Sequence, residues 1–422
     1  LVVGFAGYVL VGTLLLCLPW AQARPLPVID HAFNVVSAVS TTGLTTVAVT
    51  EGYTRFGQGV LLVLFQLGGV GFMTLSSVLI VARGRPLSPG RLGVLHAGFA
   101  LPHYFRMRDF LVQVVWFTFA CEAVGTLVLW WQFRALGVES PLWSALFHAV
   151  SAFATAGFSL NPDSLEGFAK DPWVCLTIGA LCYAGGLGFI VVQDVWYSVR
   201  LRERMLTLTS KTILWMTGAV FAVGTPLLIL FDPGVRERPL FEAVLVGGFQ
   251  VASASTTAGF NSVPIGAMAP AALVVVMGAM VIGASPSGTG GGIKTTSLSA
   301  LLATLVSVLR GRQTVAWLGY EVPVPRVLTA FAASTLYAVL LVVGVLLLCV
   351  TEAKPFLPLV FEAASAIGTV GLSMGITGDL TFAGKCVVIA LMFAGRCGPL
   401  TLGFALLAPQ GPEALKPDDL AV

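Results

Sequence analysis

The chain has 422 residues, 57% hydrophobic and only 10% charged, with a formal net charge of +3. Soluble domains carry about 25% charged residues, so this composition excludes an ordinary soluble protein and puts the chain in a membrane. The small net charge argues against nucleic acid as a partner, and four His residues (His31, His96, His103, His148) without ligand spacing argue against a metal enzyme.

The chain opens on Leu1 rather than Met, so its natural start is expected to lie upstream. The apolar run 1–20 reads as a first membrane span rather than a cleavable signal, with Pro19 ending its helix. Asp30 is then predicted to cap a short helix from His31 to about Ser40. Such a helix is too short for a hydrocarbon core of about 30 Å, so it must be re-entrant. Residues 41–46 leave it as non-helical chain, tolerated at membrane depth only inside protein or along a water-filled cavity.

This unit is written four times. The copies read Phe33-x-x-x-Ser37-x-x-x-Thr41-Thr42-Gly43-Leu44, Phe147-x-x-x-Ser151-x-x-x-Thr155-Ala156-Gly157-Phe158, Phe249-x-x-x-Ser253-x-x-x-Thr257-Ala258-Gly259-Phe260 and Phe361-x-x-x-Ser365-x-x-x-Thr369-Val370-Gly371-Leu372. They start 114, 102 and 112 residues apart, with no gap inside any copy. Eight apolar spans bracket them, near 1–20, 60–82, 110–131, 173–199, 212–231, 270–309, 327–350 and 385–408. The expected fold is an all-α membrane protein of four span–pore-loop–span repeats around one pseudo-fourfold pore, with eight transmembrane helices and four re-entrant pore helices. The repeats occupy 1–82, 110–199, 212–309 and 327–408, with a cytoplasmic tail at 409–422.

Basic residues crowd the links between repeats: Arg83, Arg85, Arg91, Arg106 and Arg108, then Arg200, Arg202, Arg204 and Lys211, then Arg310, Arg312 and Arg326. By the positive-inside rule these links and both termini are cytoplasmic, and the re-entrant segments open outward. Acidic residues near those segments (Asp30, Glu51, Asp163, Glu166, Asp171, Asp232, Glu242, Glu352, Glu362 and Asp379) are expected to raise the cation concentration at the mouth. The seven Cys residues form no C-x-x-C pair and read as small buried hydrophobes.

The second span of each repeat carries a glycine mark: Gly68-Gly69-Val70-Gly71-Phe72, Gly185-Gly186-Leu187-Gly188-Phe189, Gly290-Gly291-Gly292-Ile293-Lys294 and Gly395-Arg396-Cys397-Gly398-Pro399. Close helix packing accounts for the first two. In the third repeat, Gly283-Ala284-Ser285-Pro286-Ser287-Gly288-Thr289-Gly290-Gly291-Gly292 cannot continue a helix, so only this span is expected to break. Its loop is expected to lie across the pore axis and act as a gate, with Lys294 anchoring the second half-helix towards the cytoplasm. Arg396, mid-span, costs about 2.5–3.5 kcal/mol on insertion scales unless it faces a pore or a polar partner. It is read as a positive barrier below the filter, in contact with that loop. The same loop superficially suggests a phosphate-binding motif, but Ile293 stands where that pattern needs Gly, and no strand precedes it.

A T-x-G strand after a short helix suits a cation filter. Backbone carbonyls replace an ion's hydration shell, Gly supplies a permissive φ, and the helix aims its negative end at the cavity. Single copies would equally be Gly turns in a helix bundle; four copies favour one pore.

These residues resemble the Trk/Ktr/HKT superfamily of cation transporters over nearly the whole chain, including the stretches at 290–296 and 395–400. Eight spans, without an additional leading pair, resemble the KtrB branch more than TrkH. The resemblance implies K+ held at Thr41, Thr42, Gly43, Thr155, Ala156, Gly157, Thr257, Ala258, Gly259, Thr369, Val370 and Gly371, with no other cofactor. Gly43 implies K+ preference, since plant members favouring Na+ often carry Ser there. The resemblance further implies K+ uptake across the bacterial plasma (inner) membrane, a homodimer, and a cytoplasmic RCK-type regulatory ring, KtrA-like, that alone binds nucleotides. A coupled secondary symporter using the broken span for alternating access, a TrkH-like pore subunit, and a membrane enzyme or scaffold are the competing readings. No convergent acid–base or nucleophilic set supports the enzyme.

Overall fold

A computed structural model describes residues 2–71, 107–201 and 206–398, and these are mostly helical. In the first repeat, α1 (Val2–Leu16), α2 (Val28–Val39) and α3 (Arg55–Val70) pack on one another. The second repeats that arrangement with α4 (Met107–Ala135), α5 (Pro141–Phe153) and α6 (Pro172–Gly186), which continues after a bend as α7 (Phe189–Leu201). The third has α8 (Leu208–Phe231), α9 (Leu240–Ser255) and the pair α10 (Pro270–Ile282) and α11 (Thr295–Leu309). The fourth has α12 (Val324–Thr351), α13 (Phe356–Gly368) and α14 (Phe382–Cys397).

Local sequence sets the boundaries. Thr54 and Thr381 cap α3 and α14 alike, each side chain accepting from the backbone N–H three residues on, at Gly57 and Gly384. Pro opens α5, α6 and α10 at a position where no N–H is missed. The short middle helices α2, α5, α9 and α13 are buried along most of their length. By contrast α4 turns Trp116, Val124, Leu127 and Trp131 outward, an apolar face suited to lipid.

The repeats close into a ring. Each second helix packs on the middle helix of the next repeat: α3 on α5, α6 on α9, α10 on α13 and α14 on α2. The last of these joins is fastened by an ion pair, Lys385 Nζ to Asp30 Oδ1 at 2.6 Å, with both side chains nearly out of solvent. Among the described residues, 110–135, 208–231 and 324–351 are helices long and apolar enough to cross a membrane, and α6 with α7 makes a fourth if the bent pair is one span.

Four expectations are corrected. Asp30 does not cap α2; Pro27 precedes the helix and Asp30 lies in its first turn, free to reach Lys385. The first helix ends at Leu16, and Pro19 opens a short 3-10 turn instead. The third repeat is not alone in breaking its second span, because α6 and α7 meet at 91° across Leu187-Gly188. Gly71 and Gly398 also end α3 and α14 with φ of 84° and 81°, so a left-handed glycine stands at the corresponding place in repeats one, two and four. Finally, one small hairpin interrupts the all-α expectation: β1 (Ala316–Trp317) pairs antiparallel with β2 (Tyr320–Glu321) beside α11. The link 82–106, Arg202, Arg204, the chain beyond Gly398 and the tail 409–422 lie outside the described residues.

Removing one partner of a buried ion pair costs about 3–5 kcal/mol, whereas replacing both by apolar groups is often near neutral. Asp30→Leu should therefore lower the thermal unfolding midpoint in detergent, and adding Lys385→Met should recover much of the loss.

Candidate functional site

The four T-x-G strands share one backbone conformation. Thr41, Thr155, Thr257 and Thr369 are all left-handed, with φ of 54°, 50°, 57° and 49°, and the glycines follow at 94°, 70°, 80° and 96°. For a β-branched residue that conformation is strained, so something must hold it. Each middle helix does so through the same two bonds. The Thr N–H reaches back to Ala38, Ala152, Ala254 or Ala366, and the following N–H, from Thr42, Ala156, Ala258 or Val370, reaches the carbonyl of Ser37, Ser151, Ser253 or Ser365. Ser37 and Ser365 also accept from the N–H of Gly43 and Gly371 through their hydroxyls, both at 3.0 Å.

The glycines touch one another in cyclic order. A Cβ built on Gly43 would lie 2.5 Å from the Ala156 carbonyl oxygen, and one on Gly157 would lie 2.7 Å from that of Ala258. Those on Gly259 and Gly371 would run still closer to the carbonyls of Val370 and Thr42. Each also nearly meets the Cα of the next glycine, so the four strands surround a single axis with their backbones in contact. The C-terminal ends of α2, α5, α9 and α13 converge on that axis, bringing their negative dipole ends with them.

A second row of residues, absent from the sequence reading, fixes the chain above the ring. The residue after each motif Phe is polar and buried: Asn34, His148, Gln250 and Glu362. Asn34 Oδ1, His148 Nε2 and Gln250 Oε1 accept from the backbone N–H three residues beyond the glycine, at Thr46 (3.2 Å), Leu160 (3.4 Å) and Ser262 (3.3 Å). His148 therefore keeps its proton on Nδ1, which donates to Ser144 O at 2.7 Å. In the fourth repeat the Glu362 carboxylate accepts from the hydroxyls of Ser373 and Thr377 instead. The signal was present as a polar residue in register beside every motif Phe, but its type changes in each copy.

Above the ring lies a vestibule of about 310 Å³ whose lining includes Gly43, Gly157, Gly259 and Gly371. Its other walls are uncharged, with Thr45, Ser159, Asn161, Asn261 and Ser373 supplying the polarity. No carboxylate lines this vestibule, so the acidic residues near it stand behind its wall. Asp171 and Asp232 cap helices, Asp30 pairs with Lys385, and Glu352 accepts from Thr381. Glu166 accepts from Asn261 at 2.8 Å, and burial together with nearby Asp163 raises its carboxyl above the usual range.

Beneath the ring runs the chain from Gly283 to Lys294. Thr289 O accepts from Thr41 Oγ1 (3.4 Å), and Thr289 Oγ1 accepts from Thr155 Oγ1 (3.0 Å). Gly291 N–H donates to Thr257 Oγ1 (2.9 Å), and a Cβ on Gly291 would collide with Thr369 Oγ1. Residues 289–291 therefore lie beside all four ring threonines. The outer side of the loop sits in the break of repeat two: Ser285 and Thr289 donate to Gly186 O and Gly185 O, and Phe189 N–H and Ile190 N–H reach Ser287. Ala284, Pro286, Gly288, Gly290 and Gly292 complete the turn, in which Gly283 and Gly292 nearly touch.

Arg396 occupies the place of the second glycine in the fourth mark. Its guanidinium donates to Thr289 O in the loop and to Gly68 O at the end of α3. Lys294 does not reach away from the loop as an anchor; its Nζ turns back to Gly290 O at 2.7 Å. The first glycines of three marks have a different task. A Cβ on Gly68, Gly185 or Gly395 would strike the carbonyl of Val39, Phe153 or Ile367, beneath the middle helix of the same repeat.

Backbone carbonyls ringing one axis, at the foot of a polar vestibule inside an apolar helical body, define a membrane transport protein. Residues 9–414 match the TrkH family of cation transport proteins, and the chain belongs to it. It is 34% identical to the Ktr system potassium uptake protein B of Bacillus subtilis over 426 residues, covering 99% of this chain and 94% of that protein. It is likewise 34% identical to the Vibrio alginolyticus protein of the same name, covering 99% and 93%, and 33% identical to the potassium/sodium uptake protein NtpJ of Enterococcus hirae, covering 96% and 91%. The crystal structure of the potassium transporter TrkH from Vibrio parahaemolyticus superposes with a TM-score of 0.74 over 96% of this chain and 84% of that one, at 21% identity.

The polar row predicts a stability effect. Gln250→Leu leaves the Ser262 N–H buried without an acceptor, which costs about 1–3 kcal/mol. Its unfolding midpoint in detergent should fall below that of Gln250→Glu, which keeps an acceptor oxygen.

Proposed function

We propose that this protein is the pore-forming subunit of a bacterial K+ uptake system in the plasma membrane. The observation that carries the reading is the closed ring of four T-x-G strands. In it, the carbonyls of Thr41, Thr42 and Gly43 and their counterparts in the other repeats replace part of the hydration shell of K+. The similarity to potassium uptake proteins of Bacillus subtilis and Vibrio alginolyticus supports K+ as the cargo. Eight spans cross the bilayer, with α6–α7 and α10–α11 each counting once, and the termini face the cytoplasm. The ring has one T-x-G per quadrant and no longer signature, so it holds K+ in fewer sites than a K+ channel filter.

The chain at 284–292 is the gate. It occupies the axis beneath the ring, where conduction requires a free path, and Arg396 pins it there with a fixed positive charge. Opening exchanges the bonds of Thr289 and Gly291 for water or for other loop partners. A cytoplasmic RCK-type ring that binds nucleotides drives this exchange, and two copies of the chain form a dimer on it.

Two experiments test it. Gly43→Ser places a Cβ against the Ala156 carbonyl at a φ of 94°. The side chain displaces carbonyls that must face the ion, so K+-over-Na+ preference in uptake assays should drop. Unchanged selectivity in a folded variant would remove the filter assignment. Deleting 285–291 brings together chain ends that already lie side by side, because Ala284 N–H bonds Gly291 O at 3.0 Å. The deletion should raise K+ flux and blunt its response to the nucleotide on the partner. A folded deletion variant that conducts no faster and stays regulated shows that the loop is not the gate.

A further inference from the structure

Glu122 stands in the middle of α4 and is only 4% exposed. It belongs neither to the ring nor to the loop. Gln66 of α3 donates from Nε2 to Glu122 Oε2 at 3.0 Å. The other oxygen of each group, Glu122 Oε1 and Gln66 Oε1, is buried without a hydrogen-bond partner. Among the described residues no cation pairs with this carboxyl. The helices packed against α4 are α3, α5, α6 and α7. Their described titratable residues are Arg55, His148, Cys175, Cys182, Tyr183, Asp194 and Tyr197; Cys121 adjoins Glu122 on its own helix.

An ionised carboxylate here would be a bare charge at mid-span, held by one neutral donor, beside a second orphaned oxygen. That arrangement is among the most costly a membrane interior offers. One proton resolves both vacancies. With hydrogen on Oε1, the carboxyl donates to Gln66 Oε1 while Gln66 Nε2 donates to Oε2, and acid and amide close into a two-bond cyclic pair. We infer that Glu122 is a proton-binding site within the membrane, occupied when repeats one and two are docked.

The site has a route to the gate. Gln66 lies two residues before Gly68, whose carbonyl accepts from Arg396. Loss of the proton turns the Glu122–Gln66 pair from attractive to repulsive at one of its two contacts. The end of α3 then shifts against α4, and Arg396 loses one of its two anchors. In this way the proton reports on, and biases, the closed arrangement beneath the ring.

Infrared spectroscopy of the full-length protein in lipid tests the inference without reference to its cargo. The wild type should show a protonated-carboxyl C=O band at neutral pH that Glu122→Gln removes and Gln66→Leu shifts, and that alkaline pH abolishes. Glu362→Gln serves as a control for a second buried carboxyl, itself fully out of solvent, and should leave this band in place. Absence of any protonated-carboxyl band in the wild type, or a band that survives Glu122→Gln unchanged, overturns the assignment. In uptake assays, Glu122→Gln carries an N–H where the carboxyl carries O–H, so it should keep its rate at neutral pH and lose the alkaline rise in flux that loosening of the closed arrangement gives the wild type. An alkaline rise unchanged in Glu122→Gln, or no rise in the wild type, overturns the link to transport while leaving the ring's own tests untouched.

Discussion

Everything in this molecule answers to one demand: four strands of bare backbone must meet on an axis, deep among apolar helices, in a conformation that their threonines resist. The glycines permit the approach, because any side chain there would strike the next strand's carbonyl. The left-handed threonines are held by bonds to the helix each has just left. The middle helices are short because their C-terminal ends must stop at the axis. The paired outer helices surround them to keep lipid away from peptide groups it cannot satisfy. Ring closure through α14 and α2 completes the cycle, and the Asp30–Lys385 pair fastens that last join.

Much of this was legible because the ring imposes one solution on four segments. Phe, Ser, Thr and Gly recur in register since each fills an equivalent place, so the sequence repeats wherever the geometry does. The polar row at Asn34, His148, Gln250 and Glu362 was illegible for the converse reason. Its task is to present an acceptor at a given height, and an amide, an imidazole or a carboxylate does so equally well. The bend in repeat two escaped notice because Gly185-Gly186-Leu187-Gly188 contains nothing incompatible with a packed helix. The turned backbone there is held by the loop of repeat three, whose Ser287 carbonyl and hydroxyl accept from Phe189 and Ile190 N–H, about a hundred residues away in the chain. Carboxylates counted by sequence position are mostly engaged in helix caps, ion pairs and hydrogen bonds, and none lies in the vestibule wall itself.

The underside of the ring shows how a membrane protein accommodates polar chain that is neither helix nor sheet. Several peptide groups of the loop near the axis find partners from other repeats: threonine hydroxyls above, the carbonyls of Gly185 and Gly186 beside it, and the guanidinium of Arg396 across the cavity. Arg396 is tolerated for the same reason the loop is, since each supplies what the other lacks. Lys294 adds a second cation to the same pocket by folding back on Gly290.

Writing all four quadrants into one chain has a genetic consequence. A ring assembled from four identical subunits would repeat any residue fourfold. Arginine at the place of Arg396 would then crowd four guanidinium groups round one narrow axis, with mutual repulsion barely screened away from bulk water. Four loops like that at 283–294 would compete for space that holds one. Fusion of the quadrants frees each to drift: one carries the cation, another the loop, a third the seat, while the strands themselves stay alike. The asymmetry needed to lay a single segment beneath a four-part ring is available only because the symmetry is encoded by repetition within a chain and not by assembly.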